Sequence, residues 1–296
     1  MAWRGLLLVV LVACTDPGAR PSTGELPSPD DVQTTPQAER VLPAPDATIP
    51  ESPEGLSGAL EGTTPALLAA IERWADDPGL STAPPRDVRL LALHQYRLTT
   101  ALTQGPKLLD ATVAFLPRAL AGQVRANATA GAKIRSLIAP IEGESTLRTQ
   151  QPEPAGALRS YYDEAQERFG VDWEVLAALN FIESRFGRAR SASPAGARGP
   201  MQFILSTWKA YGMGGDIDDP QDAILGAANF LHTAGAPGKY RRPLYYYNHS
   251  WEYVDAVLLY ARQIMRDPRN WLAYYNWPVV VVTTEGELRL TGPGSS

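Results

Sequence analysis

A glutamate on the apolar side of its own helix is the first residue in this chain whose position suggests chemistry. Between Asp172 and Gly187 the pattern is helical: Leu176, Leu179 and Phe186 fall at helical spacing and mark a core-facing stripe. Asp172 suits the helix N-cap, Glu174 the positive first turn, and Gly187 the end. Glu183 sits on the apolar stripe, between Leu179 and Phe186. Most helical glutamates are solvated, and many that look buried lie at a stripe's edge, so the helix alone leaves a structural role open. A carboxyl group held in an apolar site is desolvated, which raises its pKa. The negative end of the helix dipole pushes the same way. Such a group keeps its proton near neutral pH, as a general acid must.

Three stretches accompany it. "ESRF" begins at Glu183, "GPMQF" spans Gly199 to Phe203, and "YYNHSWEYV" spans Tyr246 to Val254. Each is weak alone, but together, in this order and at these gaps, they are specific. The sequence here resembles the lytic transglycosylases, lysozyme-like enzymes that cleave peptidoglycan strands. The likeness is strong from Trp173 to about Gln263, and from Thr64 onward the chain is similar to actinobacterial members. The resemblance implies that Glu183 is the acid/base and Ser184 a neighbour that helps orient substrate. It implies that Met201 and Gln202 line the groove and that the Tyr247 hydroxyl approaches the acid. Asn248 and Tyr253 complete the implied substrate-binding set. Pro200 stands where leucine is usual, and Phe203 to Ser206 lacks a proline that often opens the next helix; neither departure touches the chemistry.

A glycosidase usually pairs two carboxylates, yet no second acid accompanies these motifs. The resemblance implies cleavage of the MurNAc–GlcNAc bond with a 1,6-anhydro ring closing on the muramic sugar. A lysozyme-type muramidase using a loop acid such as Asp216 or Asp218 is the nearest alternative. A wall-binding lipoprotein without turnover is the alternative of another class.

The elements that must position these residues are helical. "PALLAAIERWA" is expected to be one helix, capped by Thr63 or Thr64, and "RDVRLLALHQYRLTTAL" a second. Pro106 to Ile138 is a third, broken at Pro117. Residues 141–154 are expected to be an arm or linker. The tail "VVVVTTEGELRLTG" suggests two short strands around Glu285-Gly286. The expected fold is mainly α: a helical accessory region at 63–154, a lysozyme-like catalytic domain at 155–275 and a β-hairpin tail at 276–296.

The N-terminus reads as a lipoprotein signal over residues 1–13. "LVAC" resembles a lipobox and makes Cys14 the lipidated residue of the mature chain, against the alternative of an ordinary cleaved signal. Residues 14–62 are Pro-rich and acidic, with too few large apolar groups to offset their ordering entropy, and are expected to be a disordered tether. These features imply an extracytoplasmic lipoprotein on the outer face of the plasma membrane, or on the outer membrane of a cell that has one, and a monomer is expected.

Charge and ligand-forming residues exclude other classes. The acidic tether carries more than the whole net charge of -5, so the folded part is near neutral and carries no basic stripe; nucleic acid is not an expected partner. Cys14 is the only cysteine, which leaves no intramolecular disulfide. "GGDIDDPQD" fails as a calcium loop, since Gln221 and Ala227 occupy the glycine and glutamate positions; Asp219 as a helix cap explains it better. No metal or cofactor is expected. Trp251, Trp271 and Trp277 could stack on sugars or serve the core, and His249 reads as a surface or hydrogen-bonding residue.

Overall fold

The structure, a computed structural model, describes residues 41–77, 79–143, 145–191, 193 and 196–295. Cys14 and the expected signal therefore lie outside the described residues. Helix α1 (Pro53–Asp76) begins well before the Thr63–Thr64 pair expected to cap it. Ser52 is the cap, its Oγ accepting from Gly55 N at 3.1 Å, with proline in the first turn. Leu56 and Leu60 are buried, and Thr63 and Thr64 lie inside the helix at 5% and 3% exposure. The segment expected to end as tether at residue 62 thus contributes core residues.

Helix α2 (Arg86–Ala101) runs into a short 3-10 turn, and α3 (Pro106–Ala114) and α4 (Arg118–Arg135) are separated at Pro117 as expected. The next helices are α5 (Ala155–Phe169), α6 (Trp173–Ser184), α7 (Leu205–Tyr211), α8 (Pro220–Thr233), α9 (Arg241–Tyr247), α10 (Trp251–Arg266) and α11 (Arg269–Tyr275). Strands β1 (Val280–Thr283) and β2 (Gly286–Arg289) form the antiparallel hairpin, with Thr283 paired to Gly286 across the turn. The mainly α expectation with a terminal hairpin holds.

Helix α6 is the central element. Val175 to Leu179 and Phe181 are fully buried, because α5, α8, α10 and α11 pack around it. The Phe181 ring lies 4.9 Å from Tyr260, 5.3 Å from Tyr274 and 5.8 Å from Trp277, the edge and stacked contacts aromatic rings prefer.

The accessory helices belong to this same packing. Ala66, Ile71 and Trp74 of α1, Val88 and Tyr96 of α2 and Ala130 of α4 share one core with α6 and α10. Buried polar contacts tie the parts further: Tyr274 donates to Asn127 at 2.6 Å and Trp277 Nε1 to Gln95 at 3.2 Å. A smaller cluster built on Leu56, Leu98, Leu102 and Leu109 extends this core outward. Residues 42–296 group as one compact unit, rather than as the separate accessory and catalytic parts expected from the sequence.

Candidate active site

Helix α6 ends one residue after Glu183. Arg185 and Phe186 both take left-handed backbone angles, with φ of 53° and 62°. Phe186 N donates to Asn180 O at 3.2 Å and Arg185 N to Phe181 O at 3.0 Å, closing the last turn on carbonyls that would otherwise be orphaned. Each such non-glycine residue costs roughly 1–2 kcal/mol, and backbone strain of this kind concentrates where function fixes the geometry. Gly187, expected as the cap, instead completes the turn with φ 80°. At the other end Asp172 holds the N-cap position without a side-chain bond to the helix.

Two buried polar side chains, Ser184 and Asn180, clamp the helix end to the "GPMQF" loop. Ser184 Oγ donates to Pro200 O at 2.6 Å and accepts from Gly187 N at 2.8 Å. Asn180 Nδ2 donates to Pro200 O at 2.9 Å and lies 3.2 Å from Met201 Sδ, while its Oδ1 accepts from the Tyr162 hydroxyl at 2.9 Å. Asn180 is fully buried, and all its polar atoms are used. The loop closes on itself through reciprocal 2.9 Å bonds between Arg198 and Phe203. Gln202 sits at φ 49°, its Nε2 donating to Gly199 O at 3.0 Å. Gly199, at φ +74°, passes so close to the next loop that a Cβ would lie 1.9 Å from Ile217 O. Only glycine fits there.

The third stretch supplies two tyrosines. Ser250 caps α10, its Oγ accepting from Tyr253 N at 3.2 Å, and this fixes Tyr253 in the first turn. The Tyr253 hydroxyl donates to Glu183 Oε1. Tyr247 ends α9 and donates to Met201 O at 2.6 Å, its ring edge-on to Phe203 and Phe230. The direct bond to Glu183 expected of Tyr247 is therefore made by Tyr253.

Burial raises Glu183 to about 7, and the Tyr253 hydrogen bond opposes that rise without cancelling it. The carboxylate in turn raises both phenols further, after the larger effect of their own burial.

Other expected site residues fall differently. Met201 is fully buried and Ser184 2% exposed, so both brace the site from beneath instead of lining a groove. Gln202 is half-buried and Asn248 exposed, where a ligand can reach them. Trp271 and Trp277 are core residues, whereas Trp251 is 48% exposed and stacks on Tyr245 at 4.4 Å. Asp219 caps α8, accepting from Asp222 N at 2.9 Å, and Asp218 pairs with Arg198. Among the described residues no cluster suits a metal ion. Asn180 and Tyr162 were not singled out from the sequence; a polar residue three before Glu183 on the same helical face was the available signal.

Comparison with known proteins fits this arrangement. Residues 160–251 match the transglycosylase SLT domain. Residues 160–251 thus resemble the transglycosylases that the SLT description names. The chain is 31% identical over 121 residues to a membrane-bound lytic murein transglycosylase F 1 of Alkalilimnicola ehrlichii, covering 38% of this chain and 24% of that protein. The corresponding protein of Thiobacillus denitrificans is 29% identical over 130 residues, 41% of this chain and 27% of its own length. The chain thus spans about a quarter of the length of these curated relatives. No solved structure matches it significantly. The SLT match ends before Tyr253, so the partner of Glu183 lies just outside it.

Proposed function

We propose that the protein is a peptidoglycan lytic transglycosylase with Glu183 as its only acid/base. The observation that carries this reading is the pairing of Glu183 with Tyr253, in a site where burial holds the carboxyl near pH 7. A group poised there can give a proton and later take one. Glu183 protonates the glycosidic oxygen between MurNAc and GlcNAc as the C1–O bond breaks. The resulting carboxylate takes the proton of the muramic C6 hydroxyl, whose oxygen attacks C1 and closes the 1,6-anhydro ring. Intramolecular attack carries a high effective concentration, so no second carboxylate is required to activate water. Burial and Tyr253 account for the shift of Glu183, with no contribution from another acid among the described residues.

Tyr253 orients the acid, Gln202 and Asn248 offer polar contacts to the strand, and Ser184, Met201 and Tyr247 hold the loop that carries Gln202. The names of the relatives, together with "LVAC", support attachment to the outer face of a membrane through lipidated Cys14. Among the described residues no helix is long and apolar enough to cross a membrane. Mass spectrometry of peptidoglycan digested by the protein tests the reaction. Anhydromuramic ends without new reducing ends are expected; reducing ends would replace the transglycosylase with the hydrolase.

A further inference from the structure

A cavity of about 650 Å³ opens beside the segment that follows α6. Two arginines, Arg89 and Arg188, line it, and among the described residues no acidic one does. Arg188 lies over the Tyr275 ring, its guanidinium carbon 4.5 Å from the centroid, and Nη1 donates to Arg185 O at 3.3 Å. Neither arginine makes an ion pair among the described residues. Burial pushes Arg188 down to about 10, which leaves it charged at neutral pH. A desolvated cation without a counter-ion is costly to keep.

The cavity wall is firmly built. The arm expected as a linker is stitched to the turn after Glu183, with Gln150 N donating to Arg188 O and Arg190 N to Arg148 O, both at 2.9 Å. Arg188 is thereby presented by paired backbone a short way along the chain from Glu183. Thr149 and Asn276 add hydrogen-bonding groups, and Pro84 and Tyr275 add apolar surface. Planar guanidinium groups recognise carboxylates through paired hydrogen bonds. Amide, hydroxyl and apolar walls of this kind suit a short peptide better than a bare ion.

We propose that this cavity is a subsite for a carboxylate-bearing peptide, the stem attached to the glycan strand. The proposal rests on the peptidoglycan reading of the Glu183 site. It places the stem between α2, the arm and the C-terminal hairpin, elements largely outside the SLT match.

Calorimetric titration of the full chain with a glycan-free stem tripeptide, its carboxamide form and inorganic phosphate tests the idea. Saturable binding of the free acid is expected. The carboxamide form and Arg188→Gln should each weaken it by about 10-fold, the scale of a charge-assisted pair. Arg89→Glu, at an exposed position, should weaken it as well and guards against a fold defect in Arg188→Gln. Absence of saturable binding, equal binding by both variants, or binding of phosphate but not of the tripeptide would overturn the proposal. The two readings fail separately: anhydro products without stem binding remove only the subsite, and stem binding without strand cleavage removes only the transglycosylase.

Discussion

Replacing Tyr253 by Phe isolates one oxygen atom and its effect on one proton. The ring, 2% exposed, keeps its packing, and only the hydroxyl donated to Glu183 is lost. That bond stabilises the ionised carboxylate, so its loss must raise the Glu183 pKa above about 7. A hydrogen bond to a charged group contributes roughly 1.5–3 kcal/mol. Glu183 is partly exposed, so water replaces some of the loss and the lower end applies. At about 1.4 kcal/mol per pKa unit, the shift is about one unit, to about 8. As proton donor in the free enzyme, Glu183 sets the alkaline limb of kcat/KM. That limb should move from about 7 to about 8 in Tyr253→Phe. The assay is release of anhydromuropeptides measured by chromatography from pH 5 to 9.5 in both proteins. A limb that stays in place or moves to lower pH would refute the reasoning, because the hydroxyl would then not be stabilising the ionised acid.

Three further outcomes follow from the same contacts. Glu183→Gln should abolish product formation yet stabilise the protein. The native Glu183 pKa lies above its unfolded value, so the stability this group lends below about pH 4.5 is lost as pH rises through about 7. Denaturant melts at pH 5 and 8 should show the Gln variant gaining about 2 kcal/mol on the wild type between them; a constant difference would sink this. Gly199→Ala should lose more than about 2 kcal/mol and most activity, since the new Cβ meets the Ile217 carbonyl in a left-handed backbone; an unchanged melting temperature would count against the loop geometry. Cys14→Ser should move the protein from the membrane fraction to the soluble fraction, as measured by fractionation and immunoblotting, because lipid chains contribute about 0.8 kcal/mol per buried CH₂; an unchanged distribution would exclude the anchor.

The candidate acid was legible because helical periodicity is a local property. Leu176, Leu179 and Phe186 revealed the apolar face, and Glu183 stood on it. The two later stretches were legible as a resemblance, and the break at Pro117 and the Asp219 cap followed from backbone chemistry that needs no partner. The tyrosine pairing was not legible. Tyr247 and Tyr253 are both near Glu183, and only the register of α10, set by the Ser250 cap, decides which hydroxyl reaches the carboxylate. The resemblance implied that Met201 and Ser184 serve the substrate; their actual direction depends on Asn180 and Pro200 across the helix–loop contact.

The sequence by itself determined that the fold is mainly helical, where several helices stop, and that a carboxyl would stand on an apolar face. The tertiary structure alone decided that α1 starts at Pro53, since Leu56 and Leu60 gain their burial from α2 and α3, distant in the chain. It also decided that the accessory helices share the core of α6 and that the arm at 148–150 braces the turn behind Glu183. The pKa of Glu183 belongs to this second class. Periodicity can place a side chain on the inward face, but the degree of its desolvation and the donor that meets it are set by elements far apart in sequence, brought together only when the whole core closes.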